Sequence, residues 1–122
     1  MSNVAVIGAS ADKSKYGNKC VRAFVDSDYD VYPVNPKEKE IEGLKCYQSV
    51  VDIKDKIDIA SVYLPPEIGL KVADDIIKKG IETVYLNPGS ESKELISKLE
   101  KAGIKVLALC SIIAIGKTPS DY

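Results

Sequence analysis

"VAVIGASADKSKYGNK", residues 4–19, decides the architecture. Val4 to Ile7 form an unbroken apolar run, which marks a strand buried on both faces, the habit of parallel sheets. Gly8 ends the run, a small polar loop follows, and Gly17 opens a segment in which Cys20, Val21, Phe24 and Val25 share one face of a helix. A strand, a glycine turn and a helix in that order begin a βαβ unit.

The rest of the chain repeats the alternation. Residues 30–36 ("DVYPVNP") predict a second strand stopped by Pro36, and residues 37–45 a charged loop, with a short extra strand over 44–47. Residues 50–56 predict a short helix, and residues 57–64 a third strand cut off by Pro65 and Pro66. Residues 67–79 carry apolar rows at helical spacing, Ile68, Val72, Ile76 and Leu70, Ala73, Ile77, closed by Gly80. A fourth strand is expected over 82–86, a helix with Leu95, Ile96 and Leu99 over 91–102, and a fifth strand over 104–109. The tail from Cys110 receives no element. The pattern predicts one α/β domain over residues 1–122, a doubly wound, Rossmann-like parallel sheet of five strands with helices on both faces. Right-handed crossovers most simply give the order 3-2-1-4-5. Ligands of such sheets bind beyond the C-terminal strand ends where the order reverses, here between the first and fourth strands. Loops 9–16, 35–37, 65–67 and 87–90 are expected to meet there.

Composition narrows the function. The length of 122 residues suits one domain, and 45% apolar residues suffice for a core. Seventeen basic residues against 18 acidic ones argue against a nucleic-acid binder, which carries a basic face. The N-terminus has no leader pattern, and the longest apolar run, residues 106–115, is broken by Ser111 and is about half the ~20 residues a membrane helix needs. A cytoplasmic protein without membrane contact is expected. Three widely spaced cysteines, Cys20, Cys46 and Cys110, make no CxxC site or disulfide framework. The chain has no histidine, which excludes a His-based triad, an imidazole base and a His–carboxylate metal site, and no metal is expected.

The loop between Gly8 and Gly17 is eight residues long, whereas strand-to-helix loops usually run ~2–6. Gly8 permits a tight turn, Ser10 offers a hydroxyl, and Gly17 lets a helix start approach a ligand; the free N–H groups of that start favour phosphate. Lys13, Lys15, Lys19 and Arg22 stand against Asp12 alone, although lysines on a solvated surface are the ordinary reading for some of them. A dinucleotide fingerprint, G-x-G-x-x-G, is not met: Ser10 and Lys13 replace the second and third glycines. The acid that NAD sites place after the second strand is also absent, and Asn35-Pro36-Lys37 stands there instead. A lysine at that place suits an extra ribose phosphate, as in NADP or coenzyme A.

Together, "VAVIGAS" (4–10), "KYGNK" (15–19), "YPVNPK" (32–37), "VYLPPE" (62–67) and "YLNPGSES" (85–92), with "LCSIIAIG" (109–116) as a looser match, resemble the CoA-binding domain family. That family comprises small stand-alone proteins and the N-terminal domain of the succinate–CoA ligase alpha subunit and of related ADP-forming acyl-CoA synthetases. The resemblance implies a coenzyme A site. Gly8, Ala9, Ser10, Lys15, Tyr16, Gly17 and Asn18 would hold the diphosphate, and Asn35, Pro36 and Lys37 would lie by the adenosine and its 3′-phosphate. Leu64, Pro65 and Pro66 would line the wall, and Asn87, Pro88, Gly89 and Ser90 would meet the pantetheine arm. No histidine in these residues matches the phosphohistidine that the ligases carry in a second domain. The chain also has Leu109-Cys110-Ser111-Ile112 where the ligases have N-C-P-G, and Asn87-Pro88-Gly89 where many stand-alone members have a W-x-Q-G turn.

No nucleophile–base pair stands out, so no catalytic residue is assigned. Cys110 falls near the expected ligand edge, where its thiol could meet that of CoA; the ordinary behaviour of a free cysteine is that of a small buried apolar residue, and that reading is adopted. Cys20 is expected in the core. Glu67 is read as a helix first-turn carboxylate, and Tyr63 as one of several tyrosines near strand ends. The leading expectation is a binding or regulatory module for CoA or acyl-CoA. The alternatives are an NADP-binding or small redox protein and the CoA-binding subunit of an ADP-forming acyl-CoA synthetase. Ile112, Ile113 and Ile115, expected to be exposed, leave a homodimer or a ligase-like partner open.

Overall fold

The computed structural model describes residues 2–122. The strands and helices alternate as β1 (Asn3–Ile7), α1 (Tyr16–Asp26), β2 (Asp30–Val34), β3 (Glu40–Ile41), β4 (Leu44–Lys45), β5 (Ile59–Val62), α2 (Pro66–Lys79), β6 (Thr83–Leu86), α3 (Lys93–Lys101), β7 (Lys105–Leu107) and α4 (Ser111–Ala114). Two single 3₁₀ turns, Val50–Asp52 and Pro119–Asp121, complete the chain. The segment 50–56, expected to be a helix, is therefore one turn, begun by the Ser49 hydroxyl accepting from the Val51 N–H. The tail, left without an element above, holds α4 and the second turn.

Five strands form one parallel sheet in the order β2-β1-β5-β6-β7, and β3 and β4 form a separate hairpin. Numbering the five main strands along the chain, the order is 2-1-3-4-5, which corrects the expected 3-2-1-4-5. Both orders satisfy right-handed crossovers. What separates them is Pro33, in the middle of β2 opposite Val6. The expected order would put β2 between two strands, yet proline has no N–H for a ladder and is confined to edge strands. β2 is accordingly the edge strand. On its outer side Tyr47 donates its N–H to the Pro33 carbonyl at 2.9 Å and accepts from the Asn35 N–H at 2.9 Å. The chain then crosses β1 to begin β5 on its other side, so strand order reverses between β1 and β5, the first and third main strands, and not between the first and fourth.

β1 lies between β2 and β5, and its two faces look into the two halves of the core. Val4 and Val6 face α1, packing with Cys20, Val21, Ala23, Phe24 and Ile112. Ala5 and Ile7 face the other layer, with Val50 and Ile53 of the first 3₁₀ turn, Ala73 and Ile76 of α2, and Leu95 and Leu99 of α3. Pro66 occupies the first turn of α2 and Gly80, at φ 80°, closes it; Glu67 lies in its first turn, as expected. Ser92 caps α3 by accepting from the Leu95 N–H at 3.1 Å. Among the described residues, no helix is long and apolar enough to cross a membrane.

Candidate binding site at the sheet edge

The C-terminal ends of β1, β5 and β6 lie side by side, and the loops that leave them interlock. Gly8 turns at φ 89°, in the left-handed region. A Cβ there would overlap the carbonyl oxygen of Tyr63 at the end of β5, and one at Gly17 would overlap the Gly8 carbonyl. The two glycines thus let α1 start directly against the strand turn. Ala9 is fully buried under the loop, and its N–H and that of Gly8 donate to the Val34 carbonyl at 3.3 and 3.1 Å.

Side chains fold the loop from behind. Ser10 Oγ accepts from the Asp12 N–H at 3.0 Å, and Asp12 Oδ1 accepts from the N–H and hydroxyl of Ser14 at 2.9 and 2.7 Å. Those hydrogen bonds hold the Asp12 carboxyl below its ordinary value. Asn18 is fully buried: its amide donates to the Ser10 carbonyl and to a Glu42 carboxylate oxygen, and its Oδ1 accepts from Arg22 Nε at 2.7 Å. Arg22 also donates to the Lys13 and Tyr122 carbonyls. Asn18 and Arg22 are therefore braces of the loop. Asn35 is a third brace, donating to the Ala9 carbonyl at 2.8 Å and accepting from the Lys37 N–H at 2.8 Å. Pro36 and the Lys37 side chain beyond it are exposed.

The start of α1 is left open. Its N-cap, Lys15, makes no side-chain cap bond, and its first turn has no acid. The first N–H groups of a helix and their partial positive charge favour an anion, and no side chain caps them here. Lys13, Lys15 and Tyr16 are exposed around it, with the Lys19 ammonium over the Tyr16 ring, 5.4 Å from its centroid.

Next to this loop a cleft of about 330 Å3 opens between Tyr16, Tyr63, Pro88, Cys110, Ile113 and Pro119. A second, of about 290 Å3, shares Tyr63 and Pro88 and continues over Leu64, Pro65, Pro66, Gly89 and Ser90. Ser90 Oγ, buried, accepts from the Leu64 N–H at 3.1 Å and so ties these two loops together. Cys110 is half-buried and lines the cleft, which corrects the reading of it as a core residue; Cys20 does lie in the core. Of the tail isoleucines expected at the surface, only Ile113 is strongly exposed, at 63%, while Ile112 is fully buried.

Beneath the cleft floor lies a buried polar cluster that the strand pattern did not disclose. Asn87 donates to Ser61 Oγ and to the Val62 carbonyl, both at 2.9 Å, and its Oδ1 accepts from the N–H and the hydroxyl of Ser111 at 2.8 and 3.0 Å. Ser61 and Ser111 hydroxyls lie 2.8 Å apart, and the Tyr63 hydroxyl and Cys20 thiol reach Ser111 as well. Asn87 is fully buried and serves this cluster, whereas Pro88 and Gly89 beside it are exposed in the cleft. The signals were present: Ser61 stands alone in an apolar strand, and Ser111 interrupts the apolar run 106–115.

Burial pushes the Cys20 thiol and the Tyr63 phenol above their ordinary values. Both groups are uncharged when protonated, so the folded state binds their protons more tightly than the unfolded chain does. Their contribution is complete below the ordinary thiol value of 9.0 and is lost as pH climbs from there toward the folded values. Urea unfolding at rising pH should show stability falling above pH 9, and Cys20→Ala should reduce that slope; an identical slope in the variant would exclude Cys20 as a cause.

The molecule is thus a small doubly wound, Rossmann-like domain whose basic loop and uncharged cleft share one sheet edge. Residues 2–116 match the family described as CoA binding domain, and the chain belongs to that family. It is 41% identical over 80 residues to an ADP-forming acetate–CoA ligase of Methanocaldococcus jannaschii, a match covering 66% of this chain and 11% of the ligase. It is 31% identical over 134 residues to the alpha subunit of ADP-forming acetate–CoA ligase I of Pyrococcus furiosus, covering 97% of this chain and 29% of that subunit. A conserved hypothetical protein of Pyrococcus furiosus superposes with a TM-score of 0.87 at 36% identity, covering 93% of this chain and 99% of the other. The chain therefore spans under a third of the length of these curated relatives.

Proposed function

We propose that the chain binds coenzyme A or an acyl-CoA across the C-terminal sheet edge, as a binding or regulatory module with no catalytic residue of its own. The observation that carries this reading is chemical complementarity. An uncapped helix start ringed by lysines shares the sheet edge with two adjoining clefts without charged lining, and coenzyme A joins an anionic diphosphate to a long neutral arm. In this reading the backbone of residues 8–17, with Ser10, Lys15 and Tyr16, takes the diphosphate. Lys37 takes the 3′-phosphate, and Leu64, Pro65, Pro66, Pro88, Gly89 and Ser90 line the pantetheine path. Asn18, Asn35 and Asn87 act through the backbone they hold. The Cys110 thiol lies beside the arm, where a mixed disulfide with CoA would show as an added CoA mass that reductant removes.

Thermal unfolding with CoA, dephospho-CoA, NAD and NADPH tests the proposal. A ligand that binds only the folded state at a hundredfold excess over its Kd stabilises by ~2.7 kcal/mol. CoA should raise the midpoint, dephospho-CoA should raise it less, and Lys37→Ala should erase that difference. A shift with NADPH and none with CoA would replace this reading with that of an NADP-binding or small redox protein.

The relatives support a second reading, a CoA-binding component that works with a ligase-like partner. Mixing the chain with the remaining parts of an ADP-forming ligase should then restore acyl-CoA-dependent ATP formation, and no restoration would leave the module as an independent binder.

A further inference from the structure

The cleft beside the phosphate loop has a chemistry of its own. Its six lining residues are Tyr16, Tyr63, Pro88, Cys110, Ile113 and Pro119, and the set contains no acidic or basic side chain. The Tyr63 hydroxyl turns to Ser111 Oγ, 3.4 Å away, in the cluster below. Two lining side chains are unusually open for their size, Tyr16 at 56% and Ile113 at 63% exposed. A large apolar side chain held open at a cleft mouth gains from covering. The Lys19 ammonium sits over the Tyr16 ring, and no lysine is among the lining residues.

We propose that this cleft is an acyl pocket selective for short, neutral, apolar acyl groups, with Ile113 closing over the chain; the proposal rests on the coenzyme A reading above. A methylene entering such a pocket leaves water for an apolar wall. A terminal carboxylate entering it loses its hydration and finds no cationic partner on the lining. The pocket should therefore rank acyl groups by both length and charge. Butyryl-CoA should bind tighter than acetyl-CoA, because each buried methylene is worth about fourfold. Partial exposure of the mouth reduces the expected gain for two methylenes to roughly fivefold to fifteenfold. Succinyl-CoA, close to butyryl in length but anionic, should bind at least about tenfold weaker than butyryl-CoA.

Calorimetric titration of the intact chain with CoA, acetyl-CoA, butyryl-CoA and succinyl-CoA reads the proposal out. Failure of CoA itself to bind would defeat the underlying reading and the pocket with it. CoA binding with equal affinity across the acyl series, or with succinyl-CoA tightest, would overturn the pocket alone. Ile113→Lys supplies the missing cation at an exposed position and should reverse the order of butyryl-CoA and succinyl-CoA. The same order in a folded Ile113→Lys would assign the selectivity elsewhere and sink the role of this cleft. Lys19→Gln should leave the wild-type order intact; loss of discrimination in that variant would show that Lys19, and not the apolar lining, sets it.

Discussion

Gly8→Ala should cost the domain about 2–5 kcal/mol, as the sum of two separate penalties. The first is conformational: at φ 89° any side chain is placed in the left-handed region, at about 1–2 kcal/mol. The second is steric. The new Cβ would overlap the Tyr63 carbonyl and lie 3.1 Å from Leu64 Cδ2, and backbone at the end of a central strand cannot withdraw as a surface side chain can. Overpacking of this kind costs typically ~1–3 kcal/mol. Gly116→Ala separates the two, because Gly116 also sits at a positive φ, 83°, but nothing lies within 4 Å of its missing Cβ. Urea unfolding should show Gly116→Ala losing only the conformational part. Equal losses at the two sites would mean that the approach of strand end to loop carries no strain.

Asn87→Ala is the second large effect. The side chain makes four hydrogen bonds within a fully buried cluster, two donated and two accepted. Its removal strands the Ser111 N–H, which has no other partner in that cluster, and takes one partner each from Ser61 and Ser111 hydroxyls. A buried polar group left unsatisfied costs ~1–3 kcal/mol, so a loss of about 3–4 kcal/mol is expected once the cavity is added. Asn87→Asp should do no better: it keeps an acceptor for Ser111 but turns an oxygen toward the Val62 carbonyl and brings a charge into the core. The loss should be read also as hydrogen exchange of residues 111–115, since Ser111 is the anchor of α4. Full retention of α4 protection in Asn87→Ala would show that Ile112 packing alone holds the tail.

The strands and the three longer helices were legible because each carries its own period or its own stop: the apolar run of residues 4–7, the rows of α2, the closing Gly80. Strand order was not, because periodicity reports which faces are buried and not which strand is the neighbour. One residue did hold that information. Pro33 marks β2 as an edge strand, and weighing it would have excluded the order 3-2-1-4-5. The loops expected to meet do lie at one sheet edge, but the contacts of their individual residues were not legible. Asn18, Asn35 and Asn87 read as polar groups aimed at a ligand, and the amide of each donates to a backbone carbonyl. An asparagine in a loop looks the same in sequence whether it faces outward or inward. The apolar cleft escaped notice for a different reason: Tyr16, Tyr63, Pro88, Cys110, Ile113 and Pro119 come from five separate stretches, and only the closed fold brings them together.

Pro33 has a further effect, on how this molecule behaves in company. A sheet polymerises through whatever rail it leaves unpaired. On the β2 flank that rail is blunted by an imino nitrogen and occupied by Tyr47. Among the described residues, the opposite flank is β7, only three residues long and beginning with exposed Lys105. Sheet-to-sheet accretion is thus discouraged at both margins, and concentrated solutions of the folded protein should resist fibril growth by strand addition.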